Sequence, residues 1–211
     1  MPQSISIVDY GMGNLRSVQK ALAHVAPGDA VQVTSDPDAI HRADRVVFPG
    51  QGAMPDCMRS LEASGLGQAV AEAARTRPFL GLCIGQQMLF ERSAEGDTPG
   101  LALLGGRVVG FDVTPERRAG GMKVPHMGWN EVWQVAPHAL WRGIADGARF
   151  YFVHSYYCAP ADPGLAAGRT DYAGAFTSAI ARDNIFATQF HPEKSSAAGL
   201  ALLSNFTTWK P

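Results

Sequence analysis

Pro78-Phe79-Leu80-Gly81-Leu82-Cys83-Ile84-Gly85 is an apolar run that ends in Gly-x-Cys-x-Gly, and its spacing predicts a buried strand running into a helical stretch over Gln86 to Glu91. This is the pattern of a nucleophile elbow with cysteine in place of serine. A tight strand-to-helix turn crowds the flanking positions, which therefore need glycine, and it pushes the central residue out at the C-terminal edge of the sheet. Gly81 and Gly85 meet that need. A sulfur at a helix N-terminus also gains from the partial positive charge there, which favours thiolate over thiol. Cys83 is thus a candidate nucleophile, and it requires a base.

Outward from this elbow, short apolar runs bounded by turn residues recur at Ile5 to Val8, Val31 to Val33 and Val46 to Phe48, with helix-period segments between them. That alternation predicts an α/β fold with a parallel sheet. Leu15, Val18, Leu22 and Val25 fall on one face of a first helix, which Pro27-Gly28 stops. Beyond about residue 105 the pattern becomes strand-rich: Val108 to Val113, Glu131 to Val135, Phe150 to Val153, Gly174 to Ala181 and Ile185 to Phe190. This half is expected to be antiparallel or mixed. Leu200, Leu203 and Phe206 mark a closing helix. No linker or low-complexity stretch divides the 211 residues, so one domain over 1–211 is expected.

A candidate base stands at Ala187-Thr188-Gln189-Phe190-His191-Pro192-Glu193, where an apolar strand ends in a histidine followed two residues later by a carboxylate. Side chains two apart on an extended chain face the same way, and the proline between them marks the strand's end. Cys83, His191 and Glu193 then read as nucleophile, base and orienter, because such partners meet in space and not in sequence. The bland reading of His191 and Glu193 is a surface pair. Their strand-end position, shared with the elbow, favours catalysis.

Composition narrows the class further. Eighteen basic against nineteen acidic residues leave a formal charge of -1, which excludes an electrostatic footprint for nucleic acid or for an anionic membrane. No basic leader precedes Ser4-Ile5-Ser6-Ile7-Val8 and no apolar run is long enough to span a bilayer, so a cytoplasmic protein is expected. Cys57, Cys83 and Cys158 are odd in number and lack the spacing of a metal site or a disulfide framework; Cys57 and Cys158 read as small buried hydrophobes. A dinucleotide-binding module is a competing reading of Ile7 to Asn14, where glycines sit between a strand and a helix. Its third glycine position holds Arg16, and it leaves the elbow cysteine unexplained.

Gly81-Leu82-Cys83-Ile84-Gly85 with Gln87, together with Phe190-His191-Pro192-Glu193, resembles the triad-type, class I glutamine amidotransferase family, and the likeness spans the chain. Within it, Val8 to Asn14, Pro49-Gly50-Gln51-Gly52, Pro125-His126-Met127-Gly128-Trp129-Asn130 and His191 to Ser196 are similar to the glutaminase subunits of imidazole glycerol phosphate synthases. The resemblance implies a three-layer, flavodoxin-like fold, with a mostly parallel central sheet flanked by helices and an additional mixed or antiparallel sheet in the C-terminal half. It implies a Cys83 thioester formed from glutamine, with His191 protonating the leaving ammonia and no metal or cofactor. An unperturbed thiol would be only about 3% ionised at pH 7, so the imidazole contributes much of the activation.

The same resemblance implies an oxyanion loop of Gly50, Gln51 and Gly52 with Ile84, and a glutamine pocket lined by Gln87, Glu95, Ser155 and Tyr156. The commonest family form has valine where this chain has Gln51. Also implied is a heterodimer with a cyclase subunit, a (β/α)8 barrel that takes the ammonia in histidine biosynthesis, meeting this chain at Asn14, His126, Met127, Trp129 and Lys194. Glutaminases of other pathways, such as pyridoxal phosphate synthesis, and γ-glutamyl hydrolases share the triad and differ from this chain's Gly11 to Asn14 and Pro125 to Asn130 strings.

Overall fold

The computed structural model describes residues 2–115 and 121–211. The first half runs β1 (Ser4–Val8), α1 (Leu15–Val25), β2 (Ala30–Thr34), α2 (Pro37–Arg42), β3 (Arg45–Gly50), α3 (Met54–Ser64), α4 (Gly67–Thr76), β4 (Phe79–Cys83) and α5 (Ile84–Gln87). Then come β5 (Phe90–Ser93), β6 (Thr98–Pro99), β7 (Leu104–Gly110), β8 (His126–Gln134), β9 (Ala148–His154) and β10 (Tyr156–Pro160). The chain closes with β11 (Ala166–Asp171), β12 (Ala175–Arg182), β13 (Ile185–Thr188) and α6 (Ser196–Thr208).

Strands β2, β1, β3, β4 and β13 lie side by side in that order, all parallel. Residues alternate between the two faces of each strand, and the core follows that alternation. Val46, Phe48 and Phe79 pack with α3 and α4 residues such as Leu61 and Val70 on one face. Val47, Leu80 and Leu82 pack with Val18, Leu22, Leu203 and Phe206 of α1 and α6 on the other. The result is the expected three-layer α/β arrangement. Arg45 is an exception in the core: its guanidinium donates to the Trp209 carbonyl (2.7 Å) and to Gln3 Oε1 (2.9 Å), which offsets the cost of burial.

The antiparallel strands expected in the C-terminal half are present, but they do not form a detached second sheet. β13 pairs antiparallel with β12, β12 with β10 and β11, and β11 with β8, so hydrogen bonding continues unbroken from the parallel centre. Trp129, outside the strand expected over Glu131 to Val135, lies in β8 opposite Tyr151 of β9. The mixed polarity of His126 to Asn130 hid that strand, because one of its faces is covered and the other is open.

The helix expected over Gln86 to Glu91 is a single turn, and the chain re-enters the sheet as β5. Residues 81–90 are all buried, so the segment has no polar face to give a surface helix, and Phe90 instead pairs with Leu104 of β7. One turn carries little of a helix macrodipole. The elbow itself is as the glycines foretold. Cys83 adopts φ 54° and ψ -110°, and a Cβ on Gly85 would lie 1.9 Å from the Phe48 carbonyl oxygen. Among the described residues no helix is long and apolar enough to cross a membrane.

Gly85→Ala therefore forces β3 and α5 apart. Overpacking against rigid backbone is expected to cost roughly 3 kcal/mol, seen as a lowered urea midpoint at unchanged slope.

Candidate active site

Cys83, at the end of β4, is 5% exposed and shares a cavity of about 300 Å³ with Ile84, Gln51, Gly52, Ser155 and His191. A larger cavity, about 510 Å³, lies between α3 and residues 96–101 and is lined by no cysteine, serine or histidine. The smaller one holds the chemistry.

His191 is brought there by the end of the parallel sheet. β13 stops at Thr188, three residues before His191; the chain bends at Gln189 and Phe190, and His191 is again extended, at φ -102° and ψ 95°. The His191 N–H donates to the Tyr151 carbonyl (2.9 Å), and Ser195 Oγ donates to the His191 carbonyl (2.6 Å) while accepting from the Tyr151 N–H (2.9 Å). Ser195 thus ties the 192–194 turn to β9. Gly199 of α6 closes on the same turn, where a Cβ would lie 1.9 Å from the Pro192 carbonyl oxygen.

The imidazole Nδ1 lies 2.9 Å from Glu193 Oε1, and the two side chains are 5% and 1% exposed. This is a buried pair, not the surface pair of the bland reading. Its other nitrogen, Nε2, is buried without a hydrogen-bond partner among the described residues. Burial alone would push the imidazolium down; the Cys83 sulfur and the Glu193 carboxylate outweigh it and raise the histidine to about 10.

Gly50 is packed against the elbow, since a Cβ there would lie 2.8 Å from the Gly85 nitrogen and from Ile84 Cβ. The Gln51 carbonyl accepts from the Cys57 thiol at 3.5 Å, so Cys57 does more than fill space: it holds the loop's backbone from the α3 side. Cys158 is fully buried and unpaired with another cysteine.

Not every expected binding residue reaches the cavity. Ser155 does; Glu95 instead accepts from the Met54 N–H at 2.8 Å, at the start of α3. Gln87 is 1% exposed, and its amide donates to the Tyr156 carbonyl (3.0 Å) and to Gln189 Oε1 (3.0 Å). Gln189 in turn places its Nε2 3.7 Å from Cys83 Sγ. Sequence reading gave Gln189 no role. The available signal was its place two residues before His191, at the same strand end.

The expected partner residues divide. Met127 and Trp129 are 62% and 44% exposed on β8, beside exposed Trp133. Asn14 opens α1 without a side-chain cap, and the Lys194 ammonium sits 6.0 Å from the Tyr151 ring centre. His126 is a correction: it is 3% exposed, stacked between Tyr172 and Phe152, and faces inward. Inward and outward positions alternate along β8, which places it opposite in sense to Met127.

The glutamine amidotransferase class-I family model matches residues 6–208. The chain belongs to the class-I glutamine amidotransferase family. Among class-I relatives it is 62% identical over 209 residues to the imidazole glycerol phosphate synthase subunit HisH of Aromatoleum aromaticum, covering 98% of this chain and 99% of that one. It is 60% identical over 213 residues to the HisH subunit of Thiobacillus denitrificans, covering 100% and 93%. Among solved structures, PurLQS from Thermotoga maritima matches with a TM-score of 0.73 at 16% identity over 99% of both chains. A glutamine amidotransferase crystal structure matches with 0.71 at 14% identity, over 96% and 98%. At such identities the solved structures show that the class-I fold is shared.

His126 Nδ1 lies 2.9 Å from His154 Nε2, and His154 Nδ1 lies 2.8 Å from the Tyr156 carbonyl. Burial pushes His126 down to about 4 and, with smaller effects from its neighbours, His154 to about 3. A histidine lowered in the fold binds protons more readily when unfolded, so its contribution is fully present above about pH 6.5 and is lost as pH falls toward those values. Unfolding free energy is expected to drop by roughly 3 kcal/mol from pH 7 to pH 5, with about half of the slope removed in His126→Gln; urea titrations at each pH measure both.

Proposed function

We propose that this chain is the glutaminase subunit of an imidazole glycerol phosphate synthase, which hydrolyses glutamine to glutamate and ammonia and supplies the ammonia to a cyclase in histidine biosynthesis. The observation that carries the chemistry is Cys83 and the buried His191–Glu193 pair opening on one cavity. The likeness of 60–62% to HisH subunits over nearly the whole chain supports the pathway.

In this reading the Cys83 thiolate attacks the side-chain amide carbon of glutamine. The oxyanion takes backbone N–H donors from Ile84 and from the Gly50-Gln51-Gly52 loop, in a site largely closed to water. His191 Nε2–H, which faces the same cavity as Cys83, donates its proton to the departing nitrogen as the C–N bond breaks. Ammonia leaves and a glutamyl thioester remains. Neutral His191 then accepts a proton from water as water attacks the thioester, and collapse returns the thiolate, releases glutamate and leaves His191 charged. Glu193 holds the imidazole tautomer and stabilises its cation throughout. Ser155 is the glutamine-binding residue nearest this chemistry; Gln87 and Tyr156 shape the pocket from behind, and Glu95 acts through the start of α3.

The partner is a (β/α)8 cyclase in a one-to-one complex. Exposed aromatic and sulfur side chains such as Trp129 and Met127 are the residue types that anchor interfaces, with Asn14 and Lys194 at the rim. The chain acts in the cytoplasm as one glutaminase domain.

Glutamate release by the purified chain, alone and with a cyclase and its ribonucleotide ligand, tests this reading. Cyclase-dependent stimulation that Cys83→Ala abolishes is expected, with ammonia-dependent synthesis by the cyclase left intact. Equal rates with and without cyclase would move the enzyme to another pathway. Trp129→Ala should weaken cyclase binding by about 2 kcal/mol in a titration, close to thirtyfold in Kd, with the thiol reactivity of Cys83 unchanged.

A further inference from the structure

The polar layer beneath the nucleophile has a fixed direction. The Tyr156 carbonyl can only accept, so the group of Gln87 that faces it at 3.0 Å is its NH₂. The same NH₂ faces Gln189 at 3.0 Å, so Gln189 must offer its carbonyl oxygen there. The amide of Gln189 is then unable to turn, and it presents only N–H to Cys83 Sγ, at 3.7 Å. The Gln189 backbone is held as well, its N–H donating to the Ser178 carbonyl at 2.8 Å.

The carbonyl that sets this direction is itself pinned from the other side. His154 Nδ1–H donates to it, so neutral His154 accepts at Nε2 from His126 Nδ1–H, and His126 Nε2 accepts from Asn130 Nδ2 at 3.2 Å. Asn130 has no freedom to reverse, because its Oδ1 accepts from the Glu131 N–H and its Nδ2 also donates to the Asp171 carbonyl. Two chains of neutral hydrogen bonds therefore converge on one backbone oxygen. One of them ends at the nucleophile.

We propose that Gln189 is a further residue of the nucleophile's site, donating a hydrogen bond that stabilises the Cys83 thiolate and aims it, and that Gln87 is the positioning residue that fixes the Gln189 amide. The assignment rests on the glutaminase reading above for its role in turnover. A thiolate accepts an N–H bond more strongly than a thiol does, so the bond favours the attacking form and weakens when sulfur becomes a thioester. Among the described residues, the other titratable groups that interact with the sulfur are His191 on the 191–194 segment, Cys57 on α3, Cys158 on β10 and Tyr10 after β1. Of these, only His191 offers the sulfur a positive charge. Gln189 adds a donor whose strength does not change with pH.

The experiment is site-resolved alkylation of Cys83 by iodoacetamide across pH, on the full chain without partner or glutamine. Gln189→Met is expected to slow alkylation at pH 7 by about tenfold and to displace the pH profile upward by about one unit, with Gln87→Met giving a smaller displacement in the same direction. With cyclase present, kcat for glutamine should fall by a similar factor while KM stays within about twofold. Profiles superimposable on the parent's would overturn the assignment. Should Gln189→Met not fold, the Gln189 side-chain ¹⁵NH₂ resonance of the unaltered chain decides: it must shift in step with the Cys83 profile, and a pH-independent resonance refutes the bond. Because alkylation needs no glutamine, a displaced profile in a chain that releases no glutamate would sink the glutaminase reading and leave this one standing.

Discussion

The approach of α5 to β3 is the contact on which the site depends. With a hydrogen in place of Cβ, Gly85 lies against the Phe48 carbonyl, and Gly50 lies against Gly85 in return. No larger residue fits between the two backbones. The closeness of that approach forces the chain to reverse within one residue, and Cys83 absorbs the reversal at positive φ. Such a conformation costs a non-glycine residue about 1–3 kcal/mol, which the burial of Phe48, Phe79 and Leu80 on both sides of β3 and β4 offsets. The strain has a use: it projects the sulfur out of the sheet and into the cavity.

Around that point the interior is polar in a controlled way. The charged members, His191 and Glu193, are adjacent and paired, and the His191 backbone is held by Tyr151, Lys194 and Ser195. The uncharged members, Gln87, Gln189, His126 and His154, are joined end to end with little rotational freedom left. A buried network costs stability where it is incompletely satisfied and supplies precise orientation where it is satisfied. Among the described residues, His191 Nε2 is buried without a hydrogen-bond partner, and His191 shares the cavity with Cys83.

The surface of β8 is the reverse case. Its inward residues, His126 and Val132, close the aromatic layer formed with Phe152 and Phe176, while Met127, Trp129 and Trp133 point outward and are exposed. One strand thus joins the interior network to an apolar outer face, so a protein bound on that face would press on the element that carries His126 and Asn130.

Periodicity and glycine placement alone determined the parallel α/β core, the elbow and its cysteine, and the pairing of His191 with Glu193, because each of these is encoded within a few neighbouring residues. Local pattern misjudged the helix after the elbow and the start of β8, since both depend on which faces other elements cover. The family resemblance, and no local pattern, assigned His126 to the partner face and Gln87 and Glu95 to the glutamine pocket; the fold turns His126 inward, bonds Gln87 to Tyr156 and Gln189, and bonds Glu95 to the start of α3. Gln189 acquired a role only in three dimensions. A hydrogen-bonded chain from residue 130 to residue 83 is made by strands far apart in sequence, and no local pattern carries the direction of an amide; only the assembled sheet, with the Tyr156 carbonyl held between two donors, decides it.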